Sequence, residues 1–217
     1  MILFVRFLLV TILAVLMSGC PALWNSDVKD KSVSPEELFS KAKDKLKEKS
    51  YADAVSSLER LKSAYPEFKQ MPQVYLSIAD AFYDEGSYDR AIARYLQFLE
   101  LYPADKDASK ARYQIGMSYF NQIKGTDLDN RVVKQAIRSF KAVSEAPDAG
   151  EWGKKAEEKS RECQRKLADK ELYKARSYIS LGNYKAARLA AQRVLDQYPK
   201  LGLDDEAKQL LANIKSK

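Results

Sequence analysis

The stretch YDRAIARYLQFLELYP, residues 88–103, carries a spacing from which the architecture of the whole chain can be inferred. Ala91 follows Tyr88 by three residues, and the pair Tyr102-Pro103 begins eleven residues after Ala91. The same spacing recurs on both sides of this stretch, at Tyr51, Ala54 and Tyr65-Pro66 and at Tyr184, Ala187 and Tyr198-Pro199. A spacing kept that strictly indicates a repeat architecture.

A small residue marks the other half of each repeat. Thirteen residues beyond the proline of each Tyr-Pro pair stands a small residue, Ala79, Gly116 or Ala212, where two helices would cross closely. This is the tetratricopeptide pattern, in which a pair of helices cannot bury its apolar stripe alone and therefore stacks on its neighbours. We predict an all-α fold, a right-handed superhelical solenoid of about four and a half repeats, whose function is to bind other chains.

The predicted domain covers residues 34–217, and its repeats are uneven. They run over 35–66, 72–103, 108–147 and 151–199, followed by a capping helix over 203–216 with the apolar stripe Ala207, Leu210, Leu211 and Ile214. Eight extra residues, within the stretch from Ile123 to Asn130, lengthen the third repeat. Asp127 and Asp129 lie there, but Val132 and Arg138 stand where a calcium loop needs Gly and Glu, so we reject a metal site. A single long helix from Trp152 to Leu181 accounts for the extra length of the fourth repeat.

The first 19 residues differ from the rest of the chain. Arg6 is their only charge, and the apolar run over residues 7–17 is shorter than the roughly 20 residues of a membrane-spanning helix. An export signal is therefore favoured over a permanent membrane anchor.

The end of this signal, Leu16-Met17-Ser18-Gly19-Cys20, resembles a bacterial lipobox. We predict a lipoprotein signal peptide over 1–19, diacylglycerol and an N-acyl chain on Cys20, and a linker that completes residues 20–33. An ordinary signal followed by a chance cysteine is the alternative. In lipoproteins of this type an Asp after the cysteine retains the protein in the inner membrane. Pro21 stands there, which favours the periplasmic face of the cell outer membrane.

The composition argues against catalysis. The chain has no histidine, which removes hydrolase triads and most zinc sites, and it has no glycine-rich phosphate loop. Cys163 therefore has no histidine to activate it, and with Cys20 acylated it has no disulfide partner, so a packing role is favoured. We expect no enzyme activity, no metal and no cofactor apart from the lipid on Cys20.

Charge is segregated along the chain. Residues 151–217 hold 16 Lys and Arg against 10 Asp and Glu, whereas residues 20–150 hold 20 of each. This basic third is explained either by a solvated helix surface or by an acidic partner, and both are favoured over anionic head groups or lipopolysaccharide. Nucleic acid is excluded as a partner because an exported protein rarely meets it.

The lipobox, the linker and the uneven repeats are accompanied by Glu37-Leu38-Phe39 to Leu46, Tyr51, Ala54, Leu58, the insertion Asp127 to Asn130 before Ala136 and Phe140, Leu167 to Glu171, Tyr178, Gly182, Asn183, Tyr184 and Tyr198-Pro199. In these features, which cover essentially the whole chain, the sequence resembles the BamD family of tetratricopeptide lipoproteins of the β-barrel assembly machinery. The resemblance implies a scaffold whose C-terminal repeats dock the POTRA domains of a BamA-like barrel protein. It also implies that the N-terminal repeats receive unfolded outer-membrane proteins. Other assembly lipoproteins are further partners that the resemblance implies. Family members usually complete a fifth repeat, whereas here the pattern stops after its first helix.

Two sets of candidate binding residues follow. First-helix residues of the first two repeats, Phe39, Lys43, Leu76 and Asp80, would line a concave face of mixed apolar and polar groups suited to an extended peptide. In the fourth repeat, Ala190 stands at the place of the family's basic contact residue, and Arg188 or Arg193 would substitute for it.

Two other functions remain open from the sequence. One is a pilotin-type or Tol-associated tetratricopeptide lipoprotein adaptor, which the irregular third and fourth repeats disfavour. The other is a cell-wall enzyme that uses a pair of carboxylates. Helix capping and solvation explain the carboxylate pairs of this sequence more simply than catalysis does.

Overall fold

The computed structural model describes residues 33–123 and 130–215, and every regular element among them is an α-helix. The helices are α1 (Pro35–Lys47), α2 (Tyr51–Ala64), α3 (Met71–Asp84), α4 (Tyr88–Leu101), α5 (Ala108–Asn121), α6 (Asn130–Ser144), α7 (Glu151–Ser180), α8 (Tyr184–Gln197) and α9 (Asp204–Lys215). They belong to one compact unit that begins at Pro35. The helices pack in chain order, each against the next, through the pairs α1–α2 to α8–α9. The predicted all-α stack of helix pairs is confirmed, and its right-handed winding stays a prediction.

The repeated residues produce repeated backbone geometry. Tyr65, Tyr102 and Tyr198 leave their helices with φ of −134°, −132° and −134°, because a following proline disfavours helical geometry at the residue before it. The residues before the second helices, Ser50, Ser87 and Asn183, are also alike, with ψ of 63°, 62° and 71°. The three matching segments are therefore structural repeats.

The small residues occupy close helix crossings in two of the three predicted places. Ala79 is fully buried, and Gly116 lies directly under the ring of Phe140. The expectation for Ala212 is wrong, because this residue is exposed. Helix α9 packs inward through Ala207 and Ile214 instead, so the side that bears Ala212 points away from α8.

The long helix predicted between Trp152 and Leu181 is confirmed by α7, which has 30 residues. Its first half packs on α5 and α6 through Ala156, Cys163 and Leu167. Its second half packs on α8 and α9 through residues such as Leu172 and Ala175. One helix thus completes the core of two successive pairs.

The last helix, α9, has the predicted stripe. Ala207 and Ile214 are buried, and the partly buried Leu210 and Leu211 pack on Ala175 and its neighbours. The lengthened loop of the third repeat, with Asp127 and Asp129, lies outside the described residues, and so do Cys20 and the signal peptide.

Candidate partner-binding surfaces

The face predicted on the first two helix pairs is less open than expected. Phe39 and Leu76 are 5% and 7% exposed and belong to the core. The ring of Phe39 meets the edge of Phe68 at a centroid distance of 5.9 Å, because the segment after α2 folds back over α1. The expectation that these two apolar side chains are exposed is wrong, and a binding role for the surface around them stays a prediction.

Lys43 is the accessible member of this set on α1. Its side chain is exposed, and its Nζ lies 4.7 Å from the centroid of the Phe39 ring. An ammonium group over a ring is attracted by the negative face of the π system, and the aliphatic stem covers apolar surface. Lys43 therefore offers a cation at the edge of the buried Phe39.

Asp80 joins three successive helices. The hydroxyl of Tyr95 on α4 donates to Asp80 Oδ1 at 2.5 Å, and Lys110 Nζ on α5 donates to Asp80 Oδ2 at 3.2 Å. Tyr95 is fully buried, and burial raises its pKa, so its hydroxyl remains a donor at physiological pH. Both carboxylate oxygens of Asp80 are engaged, which makes this residue a structural link between the second and third pairs.

A second carboxylate stands beside this link. Burial raises the pKa of Asp84, and the nearby charge of Asp80 raises it further, while Lys110 acts in the opposite direction. Lys110 compensates the charge of Asp80, so the exposed Asp84, one helical turn away, supplies the net negative charge of this part of α3. A partner with a cationic group would be favoured there.

Sequence reasoning missed an aromatic and basic face between α5 and α7. The ring of Tyr113 lies 5.2 Å from Trp152 and 5.6 Å from Phe140, centroid to centroid. Lys155 Nζ lies 4.2 Å from the Trp152 ring, and Lys159 Nζ lies 4.6 Å from the Phe120 ring. The spacing of these lysines along one helix face is a signal that could have revealed this face.

Arg193, predicted as a partner contact, is engaged within the fold. Its Nη1 donates to Glu171 Oε2 at 2.7 Å, and Lys174 Nζ donates to the other oxygen, Glu171 Oε1, at 2.6 Å. Burial disfavours the ionised form of Glu171, but the hydrogen bonds from Lys174 and Arg193 outweigh burial and lower its pKa. One carboxylate between two cations leaves one unit of positive charge at this place.

Arg188 lies on the outward side of α8. Lys185, Arg188 and Leu189 are exposed there, whereas Ala187 and Ala190 are buried on the opposite side. The outward side of α8 is thus a basic surface with one apolar side chain, Leu189, which is 54% exposed. Of the two predicted arginines, Arg188 is the one suited to a partner.

In residues 33–123 and 130–215, no group of three or more His, Cys, Asp or Glu is placed to hold a metal ion. Within the same part of the chain, none of the helices has the length and apolar character needed to cross a membrane.

Comparison with known proteins gives a consistent family assignment. A family model described as YfiO, outer membrane lipoprotein, matches residues 31–217. A protein of Neisseria meningitidis named outer membrane protein assembly factor BamD is 26% identical over 95% of this chain and 82% of its own length. Proteins of the same name from Caulobacter vibrioides and Vibrio cholerae are 26% and 25% identical over 92% and 77% of this chain, in each case across 73% of their own length.

Proposed function

The chain belongs to the YfiO family of outer membrane lipoproteins, and from that membership we propose that it is a non-enzymatic assembly factor for outer-membrane proteins. The observation that carries the proposal is the family match over residues 31–217, which includes all the helix pairs described above. The names of the relatives support the same role. A stack of helix pairs suits an assembly factor because it presents extended surfaces to other chains.

In this proposal Cys20 carries the lipid that holds the protein at the periplasmic face of the outer membrane. Acyl chains on the first residue of the mature protein would tether the repeats through the linker that follows, which can span at most about 45 Å. Metabolic labelling with a palmitate analogue tests the anchor. We expect label on the wild-type chain and none on Cys20→Ala, and an unlabelled wild-type chain would contradict it.

The two ends of the stack would serve different partners. The last helix pairs dock the POTRA domains of a BamA-like barrel protein, and other assembly lipoproteins join the complex. The exposed Arg188 and the excess of basic residues over 151–217 support this docking through an acidic surface. The first two pairs receive unfolded outer-membrane proteins, with Lys43, Asp80 and Asp84 as polar contacts beside the core.

Co-purification from detergent-solubilised membranes tests the proposed assembly role. A tagged chain with its own signal peptide should recover a BamA-like barrel protein, and an equally tagged unrelated outer-membrane lipoprotein should not. Recovery of pilus or Tol components without any barrel protein would overturn the proposal in favour of an adaptor of those systems. The same pull-down with Arg188→Glu reports whether the outward side of α8 takes part in docking.

A further inference from the structure

The outward side of α6 carries charge of one sign only. All charged residues of this helix are cations, and all of them are exposed; we call the α6 row the set Arg131, Lys134, Arg138 and Lys141. With 3.6 residues per turn, these positions fall within about 80° of one another around the helix axis and extend over about 15 Å. The opposite side of α6 is buried through Val133, Ala136, Phe140 and Val143, so packing holds the row in place.

The described part of the chain leaves most of this charge uncompensated. No carboxylate of residues 33–123 or 130–215 lies within ion-pair distance of Lys134 or Arg138. Lys141 pairs with Glu145 at 3.6 Å, but both side chains are 65% exposed, and exposed pairs are weak. Arg131 takes part in another interaction, so the positive surplus rests on the other three members of the row.

The α6 row has no large apolar side chain beside it. The exposed large hydrophobic residues of the described chain, Leu96, Leu101, Tyr173, Leu181 and Leu189, all lie outside α6. Stable protein interfaces are centred on buried aromatic and apolar anchors, and lysine is depleted from them. Cations without such an anchor suit a surface of many mobile anions, such as the head groups of a membrane, better than they suit a protein.

We propose that the α6 row binds the phosphates of anionic phospholipids at a membrane surface. Each lysine or arginine close to such a surface strengthens binding about fivefold. The contact is electrostatic and α6 does not insert into the bilayer, because its apolar side is in the protein core. This surface lies outside the basic third over residues 151–217.

The lipid anchor proposed on Cys20 would hold the repeats near such a membrane, and the α6 row would then turn the outward side of α6 toward it. The recognition itself does not depend on the anchor. Its test therefore uses a chain without lipid, so that either proposal can fail without the other.

The test uses residues 20–217 with Cys20→Ser. This chain contains the whole compact unit that begins at Pro35, and it lacks the apolar residues 7–17, which would enter a bilayer themselves. In cosedimentation, vesicles that contain phosphatidylglycerol should bind it, and vesicles of phosphatidylcholine alone should not. Binding should weaken from about 0.01 M to about 0.15 M salt, because the Debye length falls from about 30 Å to about 8 Å.

Two double variants probe the row itself. Lys134→Gln with Arg138→Gln should weaken vesicle binding about tenfold or more, because two cations are lost. Lys134→Arg with Arg138→Lys keeps both charges and should bind like the unsubstituted chain, because attraction to a charged surface depends on charge rather than on the shape of one side chain.

The matched control lies on α7. Lys154→Gln with Arg165→Gln removes the same two residue types and the same charge from an outward face on which Glu157, Glu158 and Asp169 are also exposed. This variant should bind nearly as well as the unsubstituted chain. Circular dichroism and urea unfolding establish that all variants fold.

The proposal is overturned if phosphatidylglycerol vesicles do not bind, or if Lys134→Gln with Arg138→Gln binds like the unsubstituted chain. It is overturned if the α6 and α7 double variants lose affinity equally, since net charge alone would then explain the binding. It is also overturned if poly-glutamate binds through the α6 row and the vesicles do not, which would assign the row to an acidic protein.

Discussion

Gly116 and Phe140 approach so closely that a β-carbon added to Gly116 would lie 2.6 Å from two ring atoms of Phe140. The Phe140 ring is fully buried and is also in contact with the rings of Tyr113 and Phe120, so it has little room to retreat. Gly116→Ala should therefore lower the free energy of unfolding by about 1–3 kcal/mol, the usual effect of overpacking. Urea denaturation followed by circular dichroism measures it.

The control for this prediction is a double-mutant cycle with Phe140→Leu. A smaller side chain at position 140 leaves space for the new methyl group, so Gly116→Ala should cost less in that background than in the wild type. Equal costs in both backgrounds would show that the Phe140 ring is not the obstacle.

Lys49 adopts a left-handed backbone, with φ of +60°, where the equivalent turns use Gly86 at +85° and Gly182 at +71°. Lys49→Gly should raise the free energy of unfolding by about 0.5–1 kcal/mol, since the left-handed penalty of a side chain exceeds the entropy that glycine adds to the unfolded chain. Lys49→Ala is the matched control, because it removes the long side chain and keeps the strain. A gain of the same size for Lys49→Ala would refute this account of the turn.

Cys163 should be chemically silent in the folded protein. Its thiol is fully buried, and burial raises the pKa of the thiol to about 12, so the reactive thiolate is scarce at neutral pH. In a Cys20→Ala chain, iodoacetamide should label Cys163 only as urea unfolds the helices. Rapid labelling in native buffer would mean that α7 opens locally around this residue.

The contact of Glu171 with Lys174 and Arg193 should weaken in acid. The pKa of Glu171 in the folded protein is below its ordinary value of 4.5, so its stabilising effect is complete above that value. The effect is lost as the pH falls from there through the folded-state pKa. Glu171→Gln should therefore be less stable than the wild type at pH 7, and the difference should narrow below about pH 4.5.

Urea unfolding at several pH values measures that narrowing. Glu145→Gln is the control, because Glu145 forms only an exposed pair with Lys141, at 3.6 Å, and exposed pairs contribute little. A constant difference between wild type and Glu171→Gln across the whole pH range would exclude the ionised carboxylate as its cause.

Docking of a barrel protein at α8 should depend on salt. Screening shortens the Debye length from about 30 Å at 0.01 M to about 8 Å at 0.15 M, so association through Arg188 should slow as the salt concentration rises. Arg188→Glu should lower the association rate more than it raises the dissociation rate, as charges at the edge of a contact do. Surface plasmon resonance with the periplasmic fragment of a BamA-like protein measures both rates.

Arg188 is a better probe of docking than Arg193, because reversing Arg193 would also break its contact with Glu171 inside the fold. Lys134→Glu on α6 changes an exposed charge elsewhere and should have a smaller effect on the association rate. If neither salt nor Arg188→Glu changes the association rate, the basic third is only a solvated surface and does not dock the partner.

Local chemistry made the helix boundaries predictable. Each Tyr-Pro pair ends a helix because of the proline itself, and the absence of proline between Trp152 and Leu181 allowed one continuous helix. These features act within a few residues of the chain. The sequence alone was therefore enough to predict the helical repeats and the continuous helix α7.

Contacts between helices were not predictable in the same way. Helical spacing identified an apolar position at Phe39, but it could not show that Phe68 closes over the ring. The bonds of Asp80 reach Tyr95 and Lys110, fifteen and thirty residues further along the chain. Such pairings depend on how one helix is rotated against the next, which spacing along a single helix does not specify.

The continuity of α7 has a mechanical consequence. Its 30 residues form a rod of about 45 Å that is fixed to α6 along its first half and to α8 and α9 along its second. No loop interrupts the rod, so the helices packed on its first half and those packed on its second half lack the hinge that a break in α7 would give them. If a bound partner tilted α8, the continuous helix α7 would tilt with it. The displacement would then extend to Trp152 and the aromatic rings beside it.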